Sequence, residues 1–113
     1  MATETTLPPA EARSFQDLLG YADHGIASRV LGKTSGGNAT LFAFEAGQSL
    51  TEHTSPFDAL VFVLEGSMTL TIGGKPVKAG AGTATRMPAG VPHALDAGER
   101  TRMLLVMLRD PKP

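Results

Sequence analysis

Two histidines, forty residues apart, carry the side chains best suited to chemistry in this chain. His53 is followed closely by Ser55 and Asp58, and His93 lies further along. Imidazole binds transition metals and transfers protons near neutral pH. The two imidazoles with the Asp58 carboxylate would form a metal-binding set that leaves open positions for a substrate. Without a metal, Asp58 or Glu52 would orient a histidine base. A third interpretation is an imidazole pair hydrogen-bonded to Ser55 or to water in a polar pocket.

These side chains need strands to position them. Alternate residues of a β-strand point to the same face of the sheet. The positions of His53, Ser55 and Ala59 differ by even numbers, so one continuous strand would place them on one face, with Val61 beyond them. His93 follows a loop with two prolines and is expected to approach from a facing sheet. The spacing predicts two imidazoles that face each other in an apolar interior.

Glycine punctuates the chain at short intervals after residue 35, and short apolar runs lie between the glycines. Many short strands with evenly spaced turns are typical of an all-β sandwich or barrel. We expect one short helical turn after Ser14. Strands are expected at about residues 25–33, 39–46, 59–65, 67–73, 75–79, 83–88, 93–97 and 100–109. Residues 1–12 are expected to form a flexible tail, and residues 13–113 a single domain.

Two segments carry a recognisable pattern of glycines, prolines and histidines. The first is GQSLTEHTSPFDALVFVLEG, residues 47–66, and the second is GTATRMPAGVPH, residues 82–93. Together they resemble the two motifs of the cupin superfamily, and the resemblance covers about residues 37–109. It implies a double-stranded β-helix, or jelly-roll barrel, of the small single-domain type.

The resemblance also implies a metal site, of which this chain keeps only half. His53 and His93 stand at two of the ligand positions of the motifs. Ser55 stands at the position of a second histidine, and Ala59 at the position of a glutamate. A serine hydroxyl is a poor ligand at neutral pH and alanine is none, so the implied metal motif is degenerate. The sequence therefore does not favour a divalent metal as cofactor.

Fold resemblance does not fix a reaction, because one fold hosts many activities. We expect a small molecule to bind in the barrel lumen between His53 and His93, since small barrels hold ligands in their mouths. One alternative is a metal-dependent oxygenase or isomerase that uses both histidines and Asp58. Another is a metal-free isomerase or epimerase with a histidine base. The predicted pocket residues are His53, Ser55, Phe57, Ala59, Val61, Arg86 and His93.

The composition argues against several other classes of protein. Ten basic and eleven acidic residues give a net charge of −1, which offers no basis for binding nucleic acid or an anionic membrane. The chain has no cysteine, which fits a reducing cytoplasm. We see no secretory signal, and no apolar run approaches the roughly 20 residues of a transmembrane helix. We therefore expect a cytoplasmic protein.

Three predicted strands are apolar on both faces. The segments 41–44, 59–64 and 103–108 lack the alternation of a strand that has one face in water. One face of each strand would cover the barrel interior, and a second sheet or a second subunit must cover the other. The sequence therefore predicts a homodimer whose sheets pack face to face.

Overall fold

A computed structural model describes residues 7–109 of the chain. Within that range one short helix, α1 (Phe15–Leu18), precedes nine strands. The strands are β1 (Ile26–Thr34), β2 (Gly37–Phe44), β3 (Ser49–His53), β4 (Asp58–Glu65), β5 (Ser67–Ile72), β6 (Lys75–Gly80), β7 (Ala84–Met87), β8 (His93–Asp96) and β9 (Thr101–Leu108). No helix in the described residues is long and apolar enough to span a membrane. The cytoplasmic location stays a prediction.

The strands form two antiparallel sheets that pack face to face as a double-stranded β-helix. The five-stranded sheet has the order β1-β2-β9-β4-β7, and the four-stranded sheet the order β3-β8-β5-β6. Neighbours that are distant in sequence, such as β2 and β9, are typical of a jelly roll. The all-β prediction is confirmed. The predicted helical turn is confirmed too, and Ser14 Oγ caps it by accepting a hydrogen bond from Asp17 N at 3.1 Å.

The hydrophobic core lies between the inner faces of the two sheets. In β4 every second side chain, Ala59, Val61 and Val63, is buried. The opposite sheet contributes Met68 and Leu70 to the same cluster. Burying a large aliphatic side chain stabilises a fold by about 1.5–3 kcal/mol. The alternation along β4 therefore fixes which face of the first motif looks into the barrel.

Two turns depend on glycine. Gly73 and Gly74 connect β5 to β6 with positive φ angles of 57° and 82°, as a two-residue hairpin turn matched to strand twist requires. Gly66, between β4 and β5, has a φ of 81°, and a Cβ added there would lie 2.1 Å from Arg100 O. Only glycine allows this approach, which explains the glycine that closes the first motif.

An N-terminal strap, residues 7–25, runs over part of the outer face of the five-stranded sheet. The Tyr21 hydroxyl donates a hydrogen bond to Glu65 Oε2 at 2.5 Å. Arg102 donates to Glu65 Oε1 at 2.6 Å and to the Leu19 carbonyl at 3.0 Å. Burial, followed by the contact with Glu65, raises the pKa of Tyr21 to about 12. Tyr21 therefore remains a donor at neutral pH and fastens the strap to the sheet.

The structure differs from the sequence analysis at the third strand. The strand β3 was not predicted, because four of its five side chains are exposed and only Leu50 packs on the core. Half of the predicted tail, residues 1–6, lies outside the described residues. At the start of the described part, Leu7 N donates a hydrogen bond to Leu31 O at 2.9 Å, so this end of the strap lies against β1.

Candidate functional site

The pairing of β3 with β8 brings the two histidines together. Leu50 pairs with Leu95, and the next aligned pair is His53 with His93. Three steps along β3 thus correspond to two steps along β8, which is a β-bulge. Without the extra residue, His53 would point to the face opposite Leu50, because side chains alternate along a strand. The bulge therefore re-aims His53 toward the barrel interior, as bulges near functional sites often do.

The two imidazoles are in direct contact. Their Nε2 atoms are 3.1 Å apart, and the ring centroids are 4.3 Å apart at an interplanar angle of 75°. His93 is 4% exposed, whereas His53 lies at the surface. The pair therefore connects the barrel interior with solvent. The 3.1 Å between the Nε2 atoms leaves no room for an organic molecule between the rings, so such a ligand could only lie beside the pair.

The hydrogen bonds of the pair limit which ring nitrogens can carry a hydrogen. His53 Nδ1 lies 2.8 Å from Thr51 O, and His93 Nδ1 lies 3.2 Å from Val91 O. A carbonyl oxygen only accepts, so each Nδ1 carries a hydrogen and donates it. The Nε2–Nε2 contact needs one further hydrogen, because two facing lone pairs repel each other. All three contacts are satisfied together when the pair carries one proton more than two neutral imidazoles, which gives it a charge of +1.

A second additional proton is disfavoured. Burial lowers the pKa of His93, and the positive charge on His53 lowers it further, while the hydrogen bond to Val91 O opposes both effects. Desolvation penalises the charged form of an imidazole, and a neighbouring like charge adds to that penalty. The geometry thus accommodates at most one proton between the two Nε2 atoms.

The remaining positions of the first motif do not surround the histidines with ligands. Ser55 lies in the loop after β3, where its hydroxyl accepts from Phe57 N at 3.1 Å and its carbonyl accepts from Gly90 N at 2.9 Å. These bonds tie together the two loops at the barrel mouth. Ala59 and Val61 face the interior from β4, and their side chains offer no polar atom. The even spacing from His53 to Ala59 therefore does not reflect one continuous strand.

Asp58 and Arg86 lie on the outside of the barrel, which corrects two expectations. Asp58 precedes the inward Ala59, and its carboxylate accepts from Ala89 N at 2.9 Å and from Arg86 Nη2 at 3.3 Å. The hydrogen bond from Ala89 N, together with the Arg86 charge, lowers the pKa of Asp58. Arg86 pairs with Leu60 on the outer face of the sheet and therefore does not line the lumen. Asp58 is occupied there, so the set of two histidines and Asp58 is not formed.

Phe57 belongs to a second, separate depression. The Arg109 guanidinium lies 5.0 Å above its ring, a cation–π contact at the rim of the molecule. An open cavity of about 370 Å³ adjoins this contact. Its lining consists of Gly36, Pro56, Asp58, Ala89, Leu108 and Arg109. Neither histidine lines it, so the residues predicted for one pocket divide between the lumen and this outer groove.

The barrel interior stays partly open beside the imidazole pair. Asn38, Met107 and Ala59 form one inward-facing row across the five-stranded sheet, at the end where β4 begins and β7 leads to β8. Several apolar side chains there pack on the core and still keep contact with solvent, namely Leu50, Ile72, Leu105 and Met107. These four residues were not among the predicted pocket residues. The alternation along one strand is the same for an apolar residue in a filled core and for one that lines an open lumen. Only the register between neighbouring strands shows which of the two positions the residue has.

The donor set does not fit a resident metal ion. Zinc sites in proteins use at least three protein ligands. Among residues 7–109 no group of three or more metal-binding side chains comes together. Ala59 and the loop residue Ser55 occupy the positions where the cupin motif supplies the other two ligands. Two imidazoles alone hold a divalent ion weakly, so we derive no step through a metal.

Two antiparallel sheets in jelly-roll order, with an imidazole pair at the mouth, define a protein of the double-stranded β-helix class. The chain matches the family described as "Cupin domain" over residues 40–108, and it belongs to that family. The match begins within β2 and ends with β9, so it includes both sheets and both histidines. The resemblance found in the two motifs is thereby confirmed.

Solved structures of several other proteins share this architecture. A conserved protein of unknown function from Streptococcus pyogenes is 31% identical, over 95% of this chain and 94% of its own, with a TM-score of 0.88. A cupin 2 conserved barrel domain protein from Leptotrichia buccalis is 33% identical over 82% of this chain and 45% of its own, with a TM-score of 0.79. This chain thus spans less than half of that protein. A cupin superfamily protein from Desulfitobacterium hafniense, 24% identical over 93% of this chain and 96% of its own, has a TM-score of 0.85 and shows the fold alone. No curated protein matches the chain.

Proposed function

We propose that the protein binds a small organic anion at the open end of the barrel. The anionic group would lie beside the imidazole pair, and the apolar body would lie along the inner faces of the two sheets. One observation carries the proposal: inward-facing apolar side chains, such as Ile72 and Met107, keep contact with solvent at the end that holds the two histidines. A core that served only for stability would bury them fully, as it buries Val61 and Leu70.

The charge of the pair favours an anion. With all of its hydrogen bonds satisfied, the pair carries +1, and among residues 7–109 no acidic side chain forms an ion pair with either ring. A half-buried positive charge without a counter-ion is costly, and an anion that enters the site would offset this cost. A carboxylate is the simplest organic group with that property. A ligand with a carboxylate and a short apolar body matches both parts of the lining.

Two other functions for the site are less well supported. A metal-dependent oxygenase or isomerase needs the Asp58 carboxylate beside the rings, but Ala89 N and Arg86 hold that carboxylate outside the barrel. An isomerase or epimerase with a histidine base needs a free Nε2 lone pair that can reach a substrate. Both Nε2 atoms face each other at 3.1 Å. Binding an anion requires neither the Asp58 carboxylate beside the rings nor a free Nε2 lone pair, so we favour binding over catalysis.

The three histidines of the chain allow a direct test by NMR. Benzoate serves as the probe, and benzyl alcohol serves as its uncharged counterpart of similar shape. We expect benzoate to shift the ring-proton signals of His53 and His93 in a saturable manner, with no shift of the exposed His24. Benzyl alcohol should bind at least tenfold more weakly.

Two variants complete the test. His53→Gln should abolish the response of His93 to benzoate, whereas His24→Gln should leave that response unchanged. The proposal fails if benzoate, and pentanoate as an aliphatic alternative, leave both pair signals unmoved. It fails equally if His53→Gln binds benzoate as well as the unchanged protein does, because the pair would then not be the anion site.

A further inference from the structure

The inner face of β2 changes in character along the strand. Directly paired residues of neighbouring strands share a face, so Asn38, which pairs with the core-packed Met107, lies on the inner face. Thr40, two residues further on, lies on the same face. Beyond it, Phe42 and Phe44 bring two aromatic rings to the core, with centroids 6.1 Å apart. The strand thus presents an amide and a hydroxyl near one end of the barrel and aromatic rings deeper inside.

Strand propensity does not explain the amide. Asparagine is depleted in strands, and a polar group on an inner face costs free energy unless it is hydrogen-bonded. Thr40 is only 8% exposed, and Asn38 is half-buried. Their partners on β9, Leu105 and Met107, are apolar. The two polar side chains therefore lie on a wall whose neighbouring positions are built for an apolar interior.

One hydrogen bond orients the amide. The Thr40 hydroxyl donates to Asn38 Oδ1 at 3.1 Å. An amide group has an acceptor oxygen and a nitrogen with two hydrogens, so this bond engages the oxygen and leaves the nitrogen for another partner. Within residues 7–109, Asn38 Nδ2 donates no hydrogen bond, and it is not among the fully buried polar atoms that lack a partner. Asn38 Nδ2 is therefore a donor that a ligand can reach.

This donor lies at the same end of the barrel as the imidazole pair. Residues 45–48 turn the chain from β2 into β3, and Gln48 N donates to Glu45 O at 3.1 Å across this turn. The start of β2 and the end of β3 therefore lie together at the other end of the barrel. Asn38 is the second residue of β2, and His53 is the last residue of β3. Because β2 and β3 belong to different sheets, Asn38 and the imidazole pair line opposite walls of one opening.

The lining of this opening limits the group that the donor can take. Across β2, β9 and β4, the first inner row consists of Asn38, Met107 and Ala59, and the next row of Thr40, Leu105 and Val61. Neither row contains a carboxylate, and the Thr40 hydroxyl already donates to Asn38 Oδ1. Lys33, which continues the first row on β1, is exposed and positively charged. An acceptor for Asn38 Nδ2 therefore comes from the ligand, whereas a ligand ammonium group would find no counter-ion in these rows.

We propose that Asn38 is a specificity-determining residue of the site beside the imidazole pair, and that it selects an organic anion with a carbonyl or hydroxyl oxygen close to its carboxylate. The inference rests on the proposed function, because it assigns the second polar group of the same ligand. Facing sheets lie about 10 Å apart, and the imidazole and amide side chains each occupy part of that gap. Only a short chain can therefore separate the two polar groups, so the ligand class is a short oxo acid or hydroxy acid.

Two compounds of matched shape test this selection. 4-Oxopentanoate carries a ketone oxygen where 4-methylpentanoate carries a methyl group. The unchanged protein should bind the oxo acid about fivefold more tightly, as one additional hydrogen bond allows, measured by the ring-proton signals of His53 and His93. Equal binding, or tighter binding of 4-methylpentanoate, would overturn the inference and leave the proposed function standing. If neither compound moves either signal, the proposed function fails, and the inference fails with it.

Three variants locate the donor. Asn38→Leu, of similar shape, removes the amide and should reverse the preference while 4-methylpentanoate still binds. Thr40→Val removes the bond that orients the amide and should reduce the preference, whereas Thr40→Ser keeps the hydroxyl and should retain it. Circular dichroism checks that each variant is folded, and the two Thr40 variants decide the question if Asn38→Leu does not fold. A preference for the oxo acid that survives Asn38→Leu, or survives Thr40→Val where Asn38→Leu is unfolded, would overturn the proposal.

Discussion

Lowering the pH from 7 to 5 should destabilise the fold through one group, the His93 imidazole. This ring is 4% exposed and already faces a second imidazole, and both conditions lower its pKa from the usual value of about 6.5. In the unfolded chain the ring takes up a proton below about pH 6.5, whereas in the folded chain it does so only at lower pH. Between these two values the unfolded state binds more protons, so stability must fall as the pH falls.

The size of the effect has an upper bound. One proton contributes at most about 1.4 kcal/mol per pH unit, because one pKa unit corresponds to that free energy. From pH 7 to pH 5, a ring that stays neutral in the folded state would lower the free energy of unfolding by up to about 2 kcal/mol. Such a loss is a large part of the total of about 5–15 kcal/mol typical of a small domain. Glu45 and Asp58 have lowered pKa values, so their contribution is lost only at more acidic pH.

Urea denaturation at pH 5, 6, 7 and 8 measures this loss. His93→Gln should be less stable than the unchanged protein at pH 7, because glutamine cannot replace both contacts of the ring. Its stability should nevertheless change much less between pH 7 and pH 5. His24→Gln, a change at an exposed histidine, should keep the full pH dependence. Equal slopes for the unchanged protein and His93→Gln would refute the reasoning, because the proton would then bind elsewhere.

Three further outcomes test other parts of the structure. Metal analysis of protein purified without an affinity tag should find well under one ion per chain, and Asp58→Asn should not alter that content; stoichiometric metal would contradict the donor set described. Tyr21→Phe removes the donor to Glu65 and should lower the free energy of unfolding by about 1–2 kcal/mol, and an unchanged value would show that this bond does not fasten the strap. Gly66→Ala should cost more than Gly82→Ala: both glycines have positive φ, but only at Gly66 would a Cβ meet backbone at 2.1 Å. Equal losses, measured by urea denaturation, would show that φ strain alone matters.

The sequence contained most of the fold. Glycine pairs at 36–37 and 73–74, and short apolar runs between them, predict strands that agree with eight of the nine observed. The missing strand, β3, carries SLTEH, whose side chains are mostly exposed and show no apolar alternation. A strand of this kind is defined by its backbone bonds to β8 rather than by its own side chains. Its bulge, which orients His53, cannot be read from alternation at all.

The site was less accessible to sequence reasoning, because it depends on small differences of register. Asp58 and Ala59 are neighbours, and the alternation of β4 sends one carboxylate out of the barrel and one methyl group into it. Arg86 faces outward for the same reason, since it lies beside the buried Met87. The proton count of the imidazole pair depends on two backbone carbonyls whose positions no side-chain pattern records. The sequence identifies the two histidines, and the surrounding backbone determines their orientation and their hydrogen bonds.

Ala59 links the incomplete metal motif to the proposed anion site. At this inward position the cupin motif has a glutamate, whose carboxylate would neutralise an imidazole pair from within the chain. In the proposed function, alanine leaves the singly protonated pair without a counter-ion from within the chain, and an anion from solution takes that role. Ala59→Glu should therefore abolish benzoate binding, because the new carboxylate would neutralise the positive charge of the imidazole pair.

Ala59→Gln, of nearly equal volume and without charge, separates this effect from filled space. It should weaken benzoate binding less than Ala59→Glu does, as measured by the same ring-proton signals of His53 and His93. If both variants abolish binding equally, Ala59 contributes only room, and the charge argument is wrong. If neither variant affects binding, the anion does not lie on the Ala59 side of the pair. Comparing benzoate binding by the two variants thus shows whether position 59 matters because it lacks a carboxylate or because alanine leaves space there.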